Sequence, residues 1–230
     1  MTIKKGEDWG ARGFVPADTP VVQSDAELAA LFSAEAVSRN GDEASEFTLS
    51  GPDLVALLPN ATSPKNQRLA SNGLARTLGA RGTADSVVGH DRTILPIDLG
   101  VVTLFRGGEE PVDIVMASSL IVSGRFWAGK TEAAMNSAFL DDWNVTPSGH
   151  PNDGRFDVIT CEMSMSDRWK ARKRLPAGTH VPHPDLSIRR LKHAVFRPVP
   201  TAKVFMDGRP MGAVVRVEVT VIADATSVAI

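Results

Sequence analysis

Short apolar and β-branched segments dominate the chain from about residue 93 onward. "TILPIDLGVVTLF", "PVDIVMASSLIVSG", "RFDVITCEMSM" and "GAVVRVEVTVIA" are separated by Gly, Pro or Asp turns. Within the last of them, "VRVEVTVI" alternates apolar and polar positions, which is the pattern of a half-buried strand. In "VFMDGRPMGAVV" an Asp-Gly pair stands between two such runs and predicts a β-hairpin. We therefore expect residues 93–230 to form an antiparallel β-sandwich-like domain.

Helical patterns are fewer. "SDAELAALFSAEAVSRNG" predicts one helix, capped by Ser24 or Asp25 and ended by Asn40-Gly41. A second helix is expected from about Gln67 or Asn72 to Leu78, with Gly79 as its stop signal. "TEAAMNSAFLDDW" and "SDRWKARKRL" predict two helices inserted between the later strands.

These elements give an α+β fold. Residues 1–92 are expected to form a small α/β portion, in which "FTLSGPDLVALLPN" is a strand, a turn and a short apolar segment. Residues 93–230 are expected to form the antiparallel β-sandwich-like domain with inserted helices.

Composition is that of a soluble globular protein, with 43% hydrophobic and 23% charged residues. No apolar run approaches the length of a membrane span, and "MTIKKGEDWG" lacks the apolar core of a secretory signal. Cys161 is the only cysteine, which excludes an internal disulfide framework and a cysteine-rich zinc site. A cytoplasmic protein is the expectation.

Charge is unevenly distributed although the net charge is only −2. Residues 1–60 carry four Lys or Arg against ten Asp or Glu, whereas residues 160–230 carry twelve against six. The basic C-terminal part favours an anionic ligand there, and two solvated faces are an equally good interpretation.

A basic segment, "RWKARKR", stands out in this part of the chain. Its cations could contact phosphates or anionic lipid, or could simply form a solvated helix face; they are Arg168, Lys170, Arg172, Lys173 and Arg174. Specific nucleic-acid binding is not expected, because no recognition module accompanies the segment.

Two other motifs leave their interpretation open. "HPNDGRFDVI" reads as a turn, since Asn, Asp and Gly favour turns, but its carboxylates could also hold a hard cation. In "ASNGLARTLGARG" the backbone amides at a helix start offer a place for an anion. His180 and His183 of "HVPH" lack the further ligands that zinc requires.

Several blocks taken in order resemble the bacterial diacylglycerol kinase and related lipid kinase family. "NGLARTLGA" resembles the family's "GNDLARTLG", "HPNDGRFDVI" its "NDGxLDVxxV", "LPAGTHVPHPDLSIRR" its "GxHxxxPxVxxxR", and "VFMDGRPMG" its "xxxDGE". "ILPIDLGVVTL" resembles the segment that enters the family's C-terminal domain. The blocks run from Leu74 to the C-terminal end, about two-thirds of the chain.

The resemblance implies a set of site residues and cofactors. In the family an N-terminal domain binds ATP through a "GGDGT" loop, and a β-sandwich helps to form the lipid site in the cleft. By this resemblance Asp207 occupies the position of the general base, and Asp153 that of a ligand of a structural Mg²⁺. Asn72 and Arg76 occupy positions that contact the nucleotide or a phosphate. Catalysis of this kind needs positioning, charge neutralisation and a proton acceptor.

The chain also departs from the family pattern. There is no "GGDGT", Gly73 replaces the aspartate of "GND", and Arg209 replaces the glutamate of "DGE". Three functions stay open: an ATP- and Mg²⁺-dependent kinase of a lipid or other small hydroxyl substrate, an inactive lipid- or anion-binding module, and a subunit whose ATP loop comes from a partner chain or second copy. Each is compatible with peripheral contact at the inner face of the membrane.

Overall fold

A computed structural model describes residues 9–38, 45–59, 72–124 and 128–230. Strands make up most of the described structure and helices are few and short. In chain order the strands are β1 (Ala11–Phe14), β2 (Val21–Val22), β3 (Ser33–Ser38), β4 (Glu46–Ser50), β5 (Leu54–Leu57), β6 (Asp91–Phe105), β7 (Val112–Met116), β8 (Ser119–Ser123), β9 (Thr131–Met135), β10 (Phe139–Leu140), β11 (Trp143–Asn144), β12 (Phe156–Cys161), β13 (Leu186–Leu191), β14 (His193–Phe196), β15 (Lys203–Met206), β16 (Arg209–Pro210) and β17 (Arg216–Ala229). The helices are α1 (Asp25–Ala30), α2 (Gly73–Leu78), α3 (Ala84–Val87) and α4 (Met165–Arg174), and a short 3-10 helix follows at Leu175–Ala177.

Two sheets form the centre of the molecule. The first has seven strands, with the order β1-β6-β17-β5-β2, β14 added on β17 and β7 on β6. The second has six strands in the order β13-β12-β9-β8-β15-β16. Among the described strands, every pairing between two strands that follow residue 93 is antiparallel, as predicted. The parallel pairings are those of β5 with β17 and β2.

The two sheets pack face to face through one hydrophobic core. Val102 and Val217 of the first sheet pack with Leu120, Phe156 and Val204 of the second, and all are at most 2% exposed. Since side chains alternate along a strand, each sheet buries one row here and turns the other row outward. The structure thus has two sheets around a shared core, and the predicted α+β layout with a sandwich-like domain over residues 93–230 stays a prediction.

The first sheet continues into the N-terminal part of the chain. β1 pairs with the start of β6, and β5 pairs with the end of β17. A second core beneath it contains Leu28 of α1, Leu57 of β5 and Leu74 of α2. The division of the chain at residues 92 and 93 stays a prediction, because the sheet itself continues across that point.

One predicted helix is correct at its start but too long, and another is wrong. The helix expected from Ser24 ends after α1, and Ser33–Ser38 is instead β3, paired with β4; residues 39–41 of that prediction lie outside the described residues. Leu31 already ends the helical turn, and the following residues alternate between exposed and half-buried positions, which suits a hairpin. "TEAAMNSAFLDDW" forms β9, β10 and β11, because β9 lies between β8 and β12 and its apolar residues are buried on both faces.

Other local predictions are confirmed. α2 runs to Leu78, and Gly79 ends it with a left-handed φ of 71°; the alternative start at Gln67 lies outside the described residues. "SDRWKARKRL" forms α4, capped by Ser164. The β15–β16 hairpin has a two-residue loop, Asp207-Gly208, with φ of 46° and 80°. Positive φ at both positions is what a type I′ turn requires.

Candidate functional site

Asp207 lies at the tip of the β15–β16 hairpin and is 3% exposed. Its Oδ1 accepts the N–H groups of Ser118 and Ser119, and its Oδ2 accepts the N–H of Ala117, all at 2.8 Å. Its own N–H donates to the carbonyl of Ser119 at 2.8 Å. Burial raises the pKa of Asp207, whereas these N–H groups and Arg209 act in the opposite direction. The side chain thus fastens the hairpin tip to the turn between β7 and β8.

Asp207 also borders a cleft of about 330 Å³ between α1 and the edge of β7. Two further charged residues line it: Asp113, which accepts a hydrogen bond from Thr103 Oγ1 at 2.7 Å, and the exposed Arg209. Phe32 and Ile114 supply apolar wall. The cleft therefore combines carboxylates with a guanidinium, but the oxygens of Asp207 already hold three backbone donors.

The start of α2, where an anion was expected, holds a carboxylate of the chain itself. Asp25 is fully buried, and it accepts the N–H of Gly73 at 2.9 Å and that of Leu74 at 3.2 Å. Asn72 occupies the N-cap position without a side-chain capping bond, and its Oδ1 is buried with no partner among the described residues. Since Asp25 fills the place next to the free amides, the helix end is already neutralised.

Arg76 and Gly73 are explained by the same contacts. Arg76 pairs with Asp142 and lies over the ring of Phe139, 4.8 Å from its centroid. A Cβ added at Gly73 would stand 2.2 Å from the carbonyl oxygen of Phe139 and 2.9 Å from the hydroxyl oxygens of two serines, Ser118 and Ser137. The position therefore has no room for the aspartate of the "GND" pattern.

The "NDG" turn is held by backbone and side-chain contacts. Asp153 Oδ1 accepts the N–H of Arg155 at 3.1 Å, and its Oδ2 is 3.7 Å from a guanidinium nitrogen of Arg190. Among the described residues, no group of three or more His, Cys, Asp or Glu side chains is arranged to hold a metal ion. These contacts support the turn interpretation of Asp153. They do not support a Mg²⁺ ligand role, because the cation beside Asp153 is Arg190.

Asp98 is the residue that sequence reasoning missed. It lies in β6, is 1% exposed, and accepts the N–H of Gly154 at 2.7 Å and that of Asp224 at 2.9 Å. Burial raises the pKa of Asp98 to about 6, helped by the charge of Asp153 and opposed by the Gly154 N–H. The available signal was an aspartate within the apolar run "ILPIDLGVV".

One buried polar network joins these places. Asn136 Nδ2 donates to the carbonyls of Asp98 at 2.7 Å and of Ala117 at 2.9 Å. Ala117 donates in turn to Asp207, and Ser118 beside it bonds Ser137 Oγ at 2.7 Å, next to Gly73. The "NDG", "DGR" and "NGLARTLG" blocks therefore meet in the structure, although they are far apart in the sequence.

The predicted basic surface lies elsewhere, on α4 over the outer face of the second sheet. Arg168 is not available there: it donates to the carbonyls of Met163, Gly129 and Cys161 and to Thr131 Oγ1. Lys170 pairs with Asp167 at 2.9 Å.

The remaining cations of α4 face outward. Arg172 lies 5.1 Å from the ring centroid of Trp143 and 5.9 Å from that of Trp169. Lys173 and Arg174 are exposed, with no ion pair among the described residues. Four of the five predicted cations are thus at the surface, and among them Lys170 is already paired with Asp167.

Beneath α4 is an apolar cavity of about 280 Å³. The outward rows of β8, β9 and β12 form its floor, α4 and the residues after it form its roof, and the lining includes Ile121, Ala133, Met135, Ile159, Met165, Trp169 and Leu175. Trp169 is 64% and Met165 is 50% exposed, so the roof also presents apolar side chains to solvent. A cavity of this size and character can take the apolar chain of a ligand.

Solved structures show what the arrangement resembles. A structure described as "A putative diacylglycerol kinase from Bacillus anthracis str. Sterne" matches 76% of this chain and 69% of its own, with 10% identity and a TM-score of 0.53. A second structure of such a kinase from the same organism gives the same identity and coverage with a TM-score of 0.54. The chain has a lipid-kinase-like fold. No family model matches the sequence, and no curated protein does.

Within this lipid-kinase-like fold the predicted site residues fall into two groups. Asp207, Asn72, Arg76 and Asp153 surround or adjoin the buried polar network, whereas the α4 cations lie on the outer face of the second sheet. Among the described residues, every helix is too short or too polar to span a bilayer.

Proposed function

We propose that the protein binds a lipid whose apolar chain occupies the cavity under α4, while the cations of α4 contact an anionic membrane surface. The observation that supports this proposal is the combination of an apolar cavity with an exposed basic roof. Burying apolar surface contributes about 25 cal/mol per Å², and each exposed cation near an anionic bilayer contributes about 1 kcal/mol. The neighbouring structures described as diacylglycerol kinases support a lipid as the ligand.

The membrane part of the proposal places α4 in the interface. Trp169 and Met165 are exposed apolar side chains one turn apart, and Lys173 and Arg174 lie on the same helix. Trp prefers the interfacial zone, where its ring is apolar and its N–H remains hydrated. Peripheral contact through this helix would bring the cavity next to the acyl chains.

Co-sedimentation with vesicles tests the membrane contact. Wild-type protein should bind phosphatidylglycerol-containing vesicles more strongly than pure phosphatidylcholine vesicles, and Lys173→Glu/Arg174→Glu should lose about tenfold or more in affinity. Arg12→Glu/Arg81→Glu is the charge-matched control, because both arginines are exposed and lie beside the first sheet. Equal losses in both double variants would leave only a general charge effect.

Quenching by brominated acyl chains tests the cavity. Trp143 and Trp169 line it, so lipid entry should quench their fluorescence. Ala171→Phe, on the roof, should fill the cavity and abolish quenching by a short-chain brominated lipid below its micellar concentration. Quenching that persists in Ala171→Phe would place the lipid elsewhere.

A second function, phosphorylation of a lipid or other hydroxyl with ATP and Mg²⁺, is favoured by one observation: Asp207 borders the cleft beside α1 and stands at the "DGE" position of a lipid-kinase-like fold. Asp207 would need to exchange a backbone donor for the substrate hydroxyl before it could accept a proton. Calorimetric titration with ATP and Mg²⁺ tests this proposal. Heat of binding in the micromolar range supports the kinase, and none at millimolar nucleotide removes it.

A further inference from the structure

Among the described residues, one cation in the wall of the apolar cavity has no ion-pair or hydrogen-bond partner. This is Arg172 of α4, whose guanidinium lies 5.1 Å from the ring centroid of Trp143 and 5.9 Å from that of Trp169. Both indole rings line the same cavity, and Trp169 is 64% exposed. The guanidinium therefore lies where the apolar cavity opens to solvent.

The charge of Arg172 is not neutralised by the described lining of the cavity. Arg168, the second arginine of the wall, donates its own N–H groups to carbonyl and hydroxyl oxygens of the chain. Of the described residues that line the cavity, none is an aspartate or a glutamate. Asp142 precedes Trp143 in the sequence, but it pairs with Arg76. The mouth of the cavity thus presents a positive charge beside an apolar space.

The two indoles hold the guanidinium in place and leave it able to donate. A guanidinium is attracted to the faces of aromatic rings, and its N–H groups lie around the edge of its own plane. These donors match the two oxygens of a carboxylate in a bidentate pair. Because the neighbouring side chains are apolar, such a pair is stronger here than at an open surface.

We propose that Arg172 selects the ligand of this cavity by pairing with the carboxylate of a single-chain fatty acid, whose hydrocarbon chain occupies the space under α4. The inference rests on the proposed function, because it names the class of lipid that the same cavity takes. A single free guanidinium balances one negative charge, so a carboxylate suits it better than a phosphate monoester with nearly two charges. A neutral alcohol of the same length gains only an ordinary hydrogen bond.

The test compares decanoate with 1-decanol at pH 7.5 by titration calorimetry on the full chain. Wild-type protein should bind decanoate about tenfold more tightly, the factor expected when hydrogen bonds to a charged group replace a neutral one. Transfer into an apolar site alone favours the uncharged alcohol, so a preference for the acid requires a cation at the mouth. Ala171→Phe should bind neither ligand, which would locate both in the cavity.

Two charge-matched substitutions separate Arg172 from the charge of the whole protein. Arg172→Met keeps a long apolar side chain against the indoles but has no donor, so it should bind 1-decanol more tightly than decanoate. Arg189→Met removes the same charge from β13 and should keep the preference of the wild type. Arg189 is exposed and pairs with Val158, which packs against the core between the sheets, so it lies on the face away from the cavity.

Each contrary result has a distinct meaning. If wild-type protein binds 1-decanol as tightly as decanoate, Arg172 does not select the ligand, although the lipid cavity stands. A preference for decanoate that survives in Arg172→Met, or that Arg189→Met loses equally, also overturns the inference. Decyl phosphate that binds more tightly than decanoate overturns the choice of a carboxylate. If neither ligand binds wild-type protein, the proposed function fails, and the inference fails with it.

Discussion

Gly73 donates its backbone N–H to the buried carboxylate of Asp25 at 2.9 Å, although the two residues lie 48 positions apart. Asp25 is the first residue of α1, and Gly73 is the first residue of α2. One carboxylate therefore serves the positive ends of two helices at once. The same contact excludes an external anion from the start of α2.

Replacing Asp25 by Ala should lower the free energy of unfolding by about 2 kcal/mol, because two buried N–H groups lose their acceptor. Urea denaturation measures this change. Asp85→Ala, in the first turn of α3 and exposed, is the matched control and should stay within about 0.5 kcal/mol of wild type. An Asp25→Ala variant as stable as the control would contradict the shared-cap geometry.

Gly73→Ala should be destabilising by about 1–3 kcal/mol, since its methyl group would meet the Phe139 carbonyl at 2.2 Å. Gly107→Ala is the control, because a Cβ there meets nothing within 4 Å. Thermal unfolding of the two variants side by side gives the comparison. If Gly73→Ala and Gly107→Ala unfold at the same temperature, α2 packs less tightly against the β9–β10 connection than the structure shows.

Asp207→Asn should cost about 2–3 kcal/mol of stability, because an amide offers one acceptor oxygen where the carboxylate holds three N–H groups. Asn tolerates positive φ, so the turn itself should persist. Arg209→Ala on the same hairpin, exposed, provides the control in chemical denaturation. If Asp207→Asn is as stable as the wild type, Asp207 does not anchor the hairpin. A loss of activity in that variant would then indicate a catalytic role.

Arg168→Lys should destabilise the protein nearly as much as Arg168→Ala, by about 1–3 kcal/mol. The planar guanidinium reaches several oxygens that a single ammonium cannot reach together. Lys173→Ala on the exposed part of α4 should be close to neutral. Full rescue by lysine would mean that charge, and not the fork of donors, attaches the helix.

The cost of Asp98→Asn should depend on pH. A pKa raised to about 6 from the ordinary 3.8 means that the folded state favours the protonated carboxyl. The contribution of Asp98 to stability is therefore complete below pH 3.8 and is lost as the pH rises through about 6. The free energy of unfolding of the wild type should exceed that of Asp98→Asn at pH 4 by about 1–3 kcal/mol more than it does at pH 7.5. Urea titrations of both proteins at the two pH values measure the difference, and a gap that does not change with pH would contradict the raised pKa.

Much of the fold could be predicted from the chemistry of residues that are neighbours in the sequence. The alternation in "VRVEVTVI", the Asp-Gly of the hairpin and the stop at Gly79 each specify their conformation within a few residues, and the structure has all three. The failure at "TEAAMNSAFLDDW" has a different origin. Ala and Met favour helices in isolation, but β9 is enclosed by two neighbouring strands, and those neighbours come from other parts of the chain.

The candidate site was predictable only in part for the same reason. Asp153 and Asp207 were selected through the resemblance of their Asp-Gly blocks to those of the lipid kinase family, and both do hold turns. The partners that define them, Arg190 for one and the β7–β8 amides for the other, are separated from them by many residues. Asp98 escaped notice because its role depends on Gly154 and Asp224, which approach it only after folding.

The parallel pairing of β5 with β17 has a consequence for biosynthesis. Because Ser227 pairs with Leu54, β5 cannot pair with β17 until almost the whole of this sequence has been translated. At about 5–20 residues per second this delay lasts on the order of ten seconds or more. During that time Val55 and Leu57, buried in the finished protein, have only the two-residue strand β2 beside them. The nascent chain should therefore depend on chaperones that shield this segment at the ribosome, and ribosome-bound chains stopped before residue 216 should be captured by them more strongly than the released protein.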